Sequence, residues 1–581
     1  MPGIYGFSIS QYNPAVTIEK MTNAMHLYNH FIKDMPFLDE QIAAARVHLG
    51  HIGETYSPLE NDGVFVWVEG EAYNLGEIAA QFDLPENVSI GQALVQAYQW
   101  NQLDSFLNKL DGYFCAALYD QEKKQIKLIS DRYGMRMLYW YSHKGQFAWA
   151  SEVKGLLALN EVYRTIDSIS LNSFIDLGHM LGEHTWFEQV NLIKPSTVLT
   201  FDLTCQTVEQ HYYWKWSEIK PSNMTFDQAV NELGHRFIKA VQRRFHPTER
   251  IGIALSGGLD SRAIFAAVHH LYPAHKGFAY TFGVDGCDDI KIAKQVIARS
   301  NWDYQEFHFS GGNWFTPRIK KIWNTDGMKD MMHMHGCEFL ETIAEKIVIN
   351  LNGYLGDAIL GGSYLRSKKL SNKRISDSIA RYYYKDNYDA SMINTDFYDL
   401  KHIDPFLFMN RGRRFINMGS VNSLVYVEQR KPFFDNDIVE LAYSLPDEYR
   451  LNNKIYAVML NRFFPEYFKN IPWQKTGAPA SSLGFSVLPR RAFNKIRRLL
   501  FEALGMSSSQ SYTNYSDWIR NLEVSSYLIH ILDPDYSVLY RITGVDYRSK
   551  YLIPHINKVS NNSELILRVA TIEIFLRGLK F

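Results

Sequence analysis

The stretch Ile251-Gly252-Ile253-Ala254-Leu255-Ser256-Gly257-Gly258-Leu259-Asp260-Ser261 decides the fold. A short apolar run reaches a Gly-Gly turn, and a helical pattern from Ser261 to His270 follows. That order is a strand, a tight loop and a helix, the unit of a parallel α/β sheet. The residue types suit a phosphate. Gly257 and Gly258 let backbone amides approach a phosphate oxygen that a side chain would obstruct. The helix N-terminus presents unpaired N–H groups and a partial positive charge. Ser256 and Ser261 add hydroxyl donors. Asp260 repels a phosphate, so it implies a cation between them, and Mg²⁺ suits such oxygen ligands. No Lys follows the glycines, which excludes the GxxxxGK[ST] loop.

Working outward, residues 1–215 are rich in short strand patterns, such as Val64 to Val68, Phe114 to Tyr119 and Ile126 to Ser130. Asp, Gly and Lys-rich turns separate them, and the expectation is a layered, mostly antiparallel domain. Residues 216–228 read as a linker ending in a Thr225-Phe226-Asp227 helix start. Residues 229–485 alternate strands with helices, including Phe278 to Phe282 and Tyr304 to Phe309. Residues 486–581 are an unassigned, mainly helical extension. It contains a surface loop at Gly505 to Tyr515 and an amphipathic last helix from Ser563 to Leu579. No internal repeat is visible.

Composition narrows the function classes. Lys+Arg number 61 and Asp+Glu 62, a net charge of −1, which supplies no general attraction to nucleic acid or an anionic membrane. No apolar run of ~20 residues is present to span a bilayer, and the N-terminus lacks a basic region followed by an apolar one. Cys115, Cys205, Cys287 and Cys337 form no CxxC pair, so the expectation is a reduced, cytoplasmic protein.

The hexapeptide Ser256 to Ser261 resembles the pyrophosphate loop of the ATP pyrophosphatases, which adenylate a substrate and release pyrophosphate. Three further segments resemble asparagine synthetase. Asn352-Gly353-Tyr354-Leu355-Gly356-Asp357 is similar to that family's second Gly-rich motif. Val427 to Asp435 (VEQRKPFFD) is similar to its VEARVPFLD-type segment. Pro472-Trp473-Gln474-Lys475 is similar to the segment with its catalytic lysine. The resemblance implies ATP and Mg²⁺ as cofactors, with Asp260 and Asp357 as metal ligands and Lys475 as the cation that stabilises phosphate and tetrahedral oxygen. It implies ATP or pyrophosphate contacts at Leu255, Ser256, Gly257, Gly258, Asp260, Ser261 and Gly353. Adenine is expected against Leu255 and Thr281-Phe282, at the carboxyl ends of adjacent strands.

The N-terminal half resembles the glutamine amidotransferases of the N-terminal-nucleophile type, through Met1 to Gly6, Gly70 to Asn74, Asp111 to Phe114, Asp131 to Gly134 and Ala150 to Lys154. The implied fold is an antiparallel αββα sandwich ahead of a parallel α/β ATP-pyrophosphatase domain with a helical C-terminal part. The departures carry information. A glutaminase of this type needs Cys at position 2, and this chain has Pro2, which has no thiol. Its oxyanion-hole Asn is Glu69 here, and a carboxylate repels a developing oxyanion. Its glutamine-gripping Asp is missing from Ser89 to Ala93. The domain therefore reads as degenerate, with no glutamine hydrolysis.

Tyr354 stands where asparagine synthetases carry Glu. The β-lactam and carbapenam synthetases, which also lack glutaminase activity, have a tyrosine there that works with a glutamate. The matching segment of this chain is Arg411-Gly412-Arg413-Arg414, with no carboxylate, so Tyr354 is either the base for the attacking amine or a wall of the cleft. The implied activity is an amide-forming ligase. Lasso-peptide cyclases resemble this chain in being asparagine-synthetase-like and often lacking the N-terminal Cys; the first-ranked reading is therefore macrolactam closure of a peptide, with a precursor-processing protease or peptide-binding partner. β-Lactam-type closure, ammonia-dependent amidation and a non-catalytic scaffold are the other readings.

Overall fold

Alternation along the strands builds the first core. Cys115, Ala117 and Tyr119 on one strand, Ile126 and Leu128 on the next, and Leu199 and Phe201 on a third share one face. Across from them stand Ile4, Ile42, Ala44, Phe147 and Trp149 of a second sheet, with Phe147 stacked on Phe201 at 4.5 Å between ring centroids. The computed structural model describes residues 1–9, 13–365, 384–385, 395–398, 404–480 and 512–579. The chain divides into two units.

The first unit comprises Met1–Ile219, Asn324–Met328 and Lys373–Val425. One of its antiparallel sheets runs Val190–Leu192, Tyr139–His143, Gln146–Ala150, Gly3–Ser8, Ile42–His48, Ile32–Lys33, and Phe37–Leu38 also pairs with Ile42–His48. The other runs Thr207–Tyr212, Thr197–Asp202, Gln125–Ser130, Gly112–Asp120, Val64–Ala72, Leu59–Asn61. Helix Pro14–Met25 packs on the first sheet and helix Ile90–Gln99 on the second, completing the αββα sandwich.

Two segments read from sequence as part of 229–485 belong to this first unit, and their bonds say why. Asp326 accepts the Val153 N–H at 2.7 Å and pairs with Lys154 at 3.1 Å. Arg413 donates to the carbonyls of Gly134 and Ile193, and Arg414 to those of Gly182 and His184. A Cβ on Gly134 (φ +59°) would lie 2.6 Å from the Arg413 guanidinium, so glycine is required there. Both arginines are buried and committed to carbonyls, which accounts for the basic run.

The second unit comprises Lys220–Trp323, Lys329–Asn372 and Tyr426–Phe581. Helix Phe226–Arg244 begins at a capping box of Thr225 and Gln228. The sheet is parallel throughout, in the order Asp303–His308, Phe278–Gly283, Ile251–Ala254, Ile349–Leu351, Glu428–Arg430. The described C-terminal residues are integral to this unit. The Met331 N–H donates to Thr571 Oγ1 at 2.9 Å, and Trp323 packs on Phe575. Of the loop expected at Gly505 to Tyr515, residues 505–511 lie outside the described residues.

Helix Ser563–Gly578, read from sequence as amphipathic, is buried over most of its surface. Its buried residues are mainly apolar (Ile566, Leu567, Val569, Ala570, Ile572, Phe575, Leu576), and among them Glu573 is fully buried and accepts from the Ser537 hydroxyl, the Val538 and Leu539 amides, and Arg577. The carboxylate thereby caps helix Val538–Thr543. Glu573→Ala should lower the unfolding free energy by about 3 kcal/mol, because it strands buried donors. Denaturant titration would read that loss, and an unchanged midpoint would refute it.

The first unit also carries a pH-dependent element. His48 is buried with Asp34 and Glu54 each 3.6 Å away. Burial opposes its charge, but the two carboxylates prevail and raise it to about 9 from 6.5. A raised folded-state value means its stabilisation is complete below pH 6.5 and lost as pH rises through 9. Thermal melts of wild type should therefore decline across that window, and those of His48→Gln should decline less. Parallel curves would refute the assignment.

Candidate functional site

From Ile251–Ala254 the chain adds two strands on one side before crossing to the other. The strand order thus reverses between Ile251–Ala254 and Ile349–Leu351. Open α/β sheets bind ligands at that point, beyond the carboxyl ends of the strands. A cleft of about 650 Å³ lies there. Its walls are the loop after Ile251–Ala254 (Ser256, Gly258, Leu259, Asp260, Ser261), the loop after Ile349–Leu351 (Asn352, Gly353, Asp357), Asp288, and Trp473 to Lys475.

The first loop is tied internally. Ser261 Oγ accepts the Ser256 N–H at 3.0 Å, and Ser256 Oγ accepts the Gly258 N–H at 3.2 Å. Helix Asp260–Leu271 has no side-chain cap at its start, a place where backbone amides and the helix dipole suit an anion. The second loop crosses so closely that a Cβ on Gly353 would lie 2.9 Å from Ser261 N, and one on Gly356 2.7 Å from Asp260 Cγ. Leu355 adopts φ +56°, a left-handed conformation costly for its side chain and of the kind stored at functional sites.

This crossing seats Asp260 against Asp357. The Asp357 N–H donates to Asp260 Oδ2 at 2.9 Å, and the Tyr456 hydroxyl to Oδ1 at 2.9 Å. Burial first, and the Asp357 charge second, push Asp260 up to about 8. A nearby cation would favour the ionised form of Asp260. Two carboxylates suit Mg²⁺, which completes its octahedron with waters and phosphate oxygens. The donor set therefore fits the metal.

Lys475 sits at the tip of a hairpin between Pro472–Trp473 and Ala478–Pro479. It is exposed at the rim, with Nζ 5.5 Å from the Trp473 ring centroid. The structure thus brings Ser256, Gly258, Asp260, Ser261, Gly353, Asp357 and Lys475 to one cleft.

Other expected residues are placed elsewhere. Gly257 donates its N–H to Asp289 at 2.8 Å instead of facing the cleft. Leu255 is buried, and its carbonyl accepts the Thr281 hydroxyl at 2.8 Å. Phe282 joins a ring cluster with Phe309 and Phe339. Tyr354 is buried with its ring against Phe434, and Lys431 Nζ lies 5.1 Å from that ring's centroid. None of these lines the cleft wall. Tyr456, Asp288 and Trp473 had no assigned role in the sequence reading. Trp473 lies within the Pro472 to Lys475 motif, and Asp288 opens the acidic start of helix Asp288–Ile297, whereas Tyr456 left no local signal.

In the first unit a cavity of about 260 Å³ is lined by Arg46, Glu54, Gly70 and Ser89 to Gly91, among others. Glu69 is buried in an ion pair with Arg136. Pro2 is buried. Arg46 is spent on Asp34 and the carbonyls of Val68 and Thr55. Gly70 has φ +107°, and a Cβ there would lie 2.1 Å from the Tyr113 carbonyl oxygen.

Comparison with known proteins agrees with this architecture. Residues 1–214 match the glutamine amidotransferase domain family, and residues 232–411 the asparagine synthase family. Asparagine synthetase [glutamine-hydrolyzing] 3 of Bacillus subtilis is 24% identical over 501 residues, covering 75% of this chain and 78% of its own. A Methanocaldococcus jannaschii protein named for the same activity is 25% identical over 462 residues, covering 74% and 75%. Human asparagine synthetase [glutamine-hydrolyzing] is 25% identical over 258 residues, covering 42% and 44%. Fold and cleft define an ATP-dependent carbon–nitrogen ligase, using ATP with Mg²⁺. The chain belongs to the asparagine synthetase family. No described helix is long and apolar enough to cross a membrane.

The Tyr456 hydroxyl holds Asp260 Oδ1, and loss of a hydrogen-bond partner of a metal-holding carboxylate typically costs 10–100-fold in metal affinity. Tyr456→Phe should raise the Mg²⁺ concentration for half-maximal pyrophosphate release about tenfold. An unchanged Mg²⁺ dependence would refute the role.

Proposed function

We propose that this ligase closes a lactam within a peptide, coupling a side-chain carboxylate to an amine of the same molecule, without hydrolysing glutamine. The carrying observation is Pro2 in place of a thiol nucleophile, beside a Glu69 already neutralised by Arg136. With no nitrogen released from glutamine, the nitrogen comes from elsewhere, and in this reading it is an amine the substrate brings.

In this reading the substrate carboxylate attacks the α-phosphorus of ATP and pyrophosphate leaves. Mg²⁺ held by Asp260 and Asp357 supplies Lewis-acid neutralisation of the phosphates. The first-turn amides of helix Asp260–Leu271 and the Ser256 and Ser261 hydroxyls hold the leaving oxygens. The amine then attacks the acyl-adenylate carbonyl, the C–O bond to AMP breaks, AMP leaves and the amine gives up a proton; Lys475, a point cation at the rim, stabilises negative charge on the phosphate and on the tetrahedral oxygen. A protease or peptide-binding partner would deliver the precursor.

The relatives are named asparagine synthetases [glutamine-hydrolyzing], which favours a second reading, amidation of a small acid; with Pro2 in place of the thiol, free ammonia would supply its nitrogen. ATP–pyrophosphate exchange against a panel of peptides and small acids tests both. Peptide-dependent exchange and a product lighter by one water support lactam closure. Incorporation of ¹⁵N from ¹⁵NH₄⁺, or exchange only with small acids, overturns it. Asp260→Asn and Asp357→Asn should each reduce exchange at least about a hundredfold; full turnover in both would remove the adenylation step.

A further inference from the structure

The hairpin that carries Lys475 is fastened to the phosphate loop by three interlocking groups. Arg262, fully buried on helix Asp260–Leu271, donates to the carbonyls of Ile471 at 3.2 Å, Pro472 at 2.8 Å and Gly257 at 3.1 Å. The Gln474 N–H donates to the Gly257 carbonyl at 3.1 Å. Asp289 bridges the two pieces, with Oδ1 accepting the Gly257 N–H at 2.8 Å and Oδ2 accepting Gln474 Nε2–H at 3.0 Å. A Cβ on Gly257 would lie 2.8 Å from Gln474 Cβ, so loop and hairpin touch without clearance.

Lys475 follows directly in the chain. Its own side chain is exposed, so the clamp on its neighbour is what sets where its ammonium stands relative to the loop. Both polar atoms of the Asp289 carboxylate are spent inside the protein. We propose that Asp289 and Gln474 form a positioning pair that makes the phosphate loop and the lysine hairpin one rigid body, so that nucleotide seated on the loop meets Lys475 at fixed distance. The proposal rests on the nucleotide-binding reading of this cleft for its consequence, and on the clamp geometry alone for its structure.

The chemistry of the pair permits a charge-swap test in the full chain. Gln474→Glu sets carboxylate against carboxylate. Asp289→Asn in that background restores a donor, because Asn Nδ2–H donates to the new carboxylate. Asp289→Asn alone should be mild, since Gln474 can turn its amide to present Oε1. In Gln474→Glu, exchange of the residue-474 amide hydrogen should speed up about tenfold. The kcat for pyrophosphate release should fall about tenfold or more while the KM for ATP moves less than about threefold. The double variant should return both to within about threefold of wild type.

Gln474→Glu with wild-type exchange, or with wild-type kcat despite faster exchange, overturns the positioning role. So does a double variant no better than the single one. If Gln474→Glu does not fold, a folded and active double variant supports the pair and an unfolded one overturns it. Calorimetric titration of wild type with Mg·ATP stands apart: absence of binding ends the nucleotide reading, while the amide exchange still decides the clamp.

Discussion

A single buried carboxylate governs the catalytic unit. Asp260 lies where two loops cross at the reversal of strand order. That crossing exists only because Gly353 and Gly356 have no side chains to hold it open. The same closeness gives Asp260 a backbone donor from Asp357 and a hydroxyl donor from Tyr456. It also removes water from Asp260, so burial and the neighbouring Asp357 charge hold its carboxyl toward the neutral form. The left-handed Leu355 and the uncapped helix start belong to the same geometry. The loop crossing and the carboxylate contact share this geometry, so neither can be altered without disturbing the other.

The first unit keeps an amidotransferase sandwich while its polar groups have turned inward. Glu69 pairs with Arg136, and Arg46 spends its guanidinium on Asp34 and backbone carbonyls. Burying a charge is tolerable only with such partners. Asp131 shows the same economy: its carboxylate accepts the amides of Tyr133, Met135 and Arg136 and so fixes the turn before Arg136. Charges at these positions hold the sandwich together.

Much of the site was legible because its parts are local. The strand, the Gly-Gly turn and the helix start are contiguous, and their conformational demands show in residue type. Asp357 and Lys475 were legible by resemblance to motifs of fixed order. Tyr456 and Asp289 were not, since each acts across a distance in sequence that no periodicity records. The adenine contacts expected at Leu255, Thr281 and Phe282 followed from the end of a strand. Side chains there alternate between sheet faces, and these ones go to the sheet bond and the ring cluster.

The sequence by itself determined the strand, Gly-Gly turn and helix start around Ser256 to Ser261 and the absence of a thiol at position 2, because each is a property of neighbouring residues. Only the tertiary structure decided that Asn324–Met328 and Lys373–Val425 join the first unit, that the described C-terminal residues complete the second, and that the lysine hairpin is bolted to the loop. Those outcomes depend on which buried donors find which acceptors, a long-range satisfaction of polar groups that no local pattern encodes.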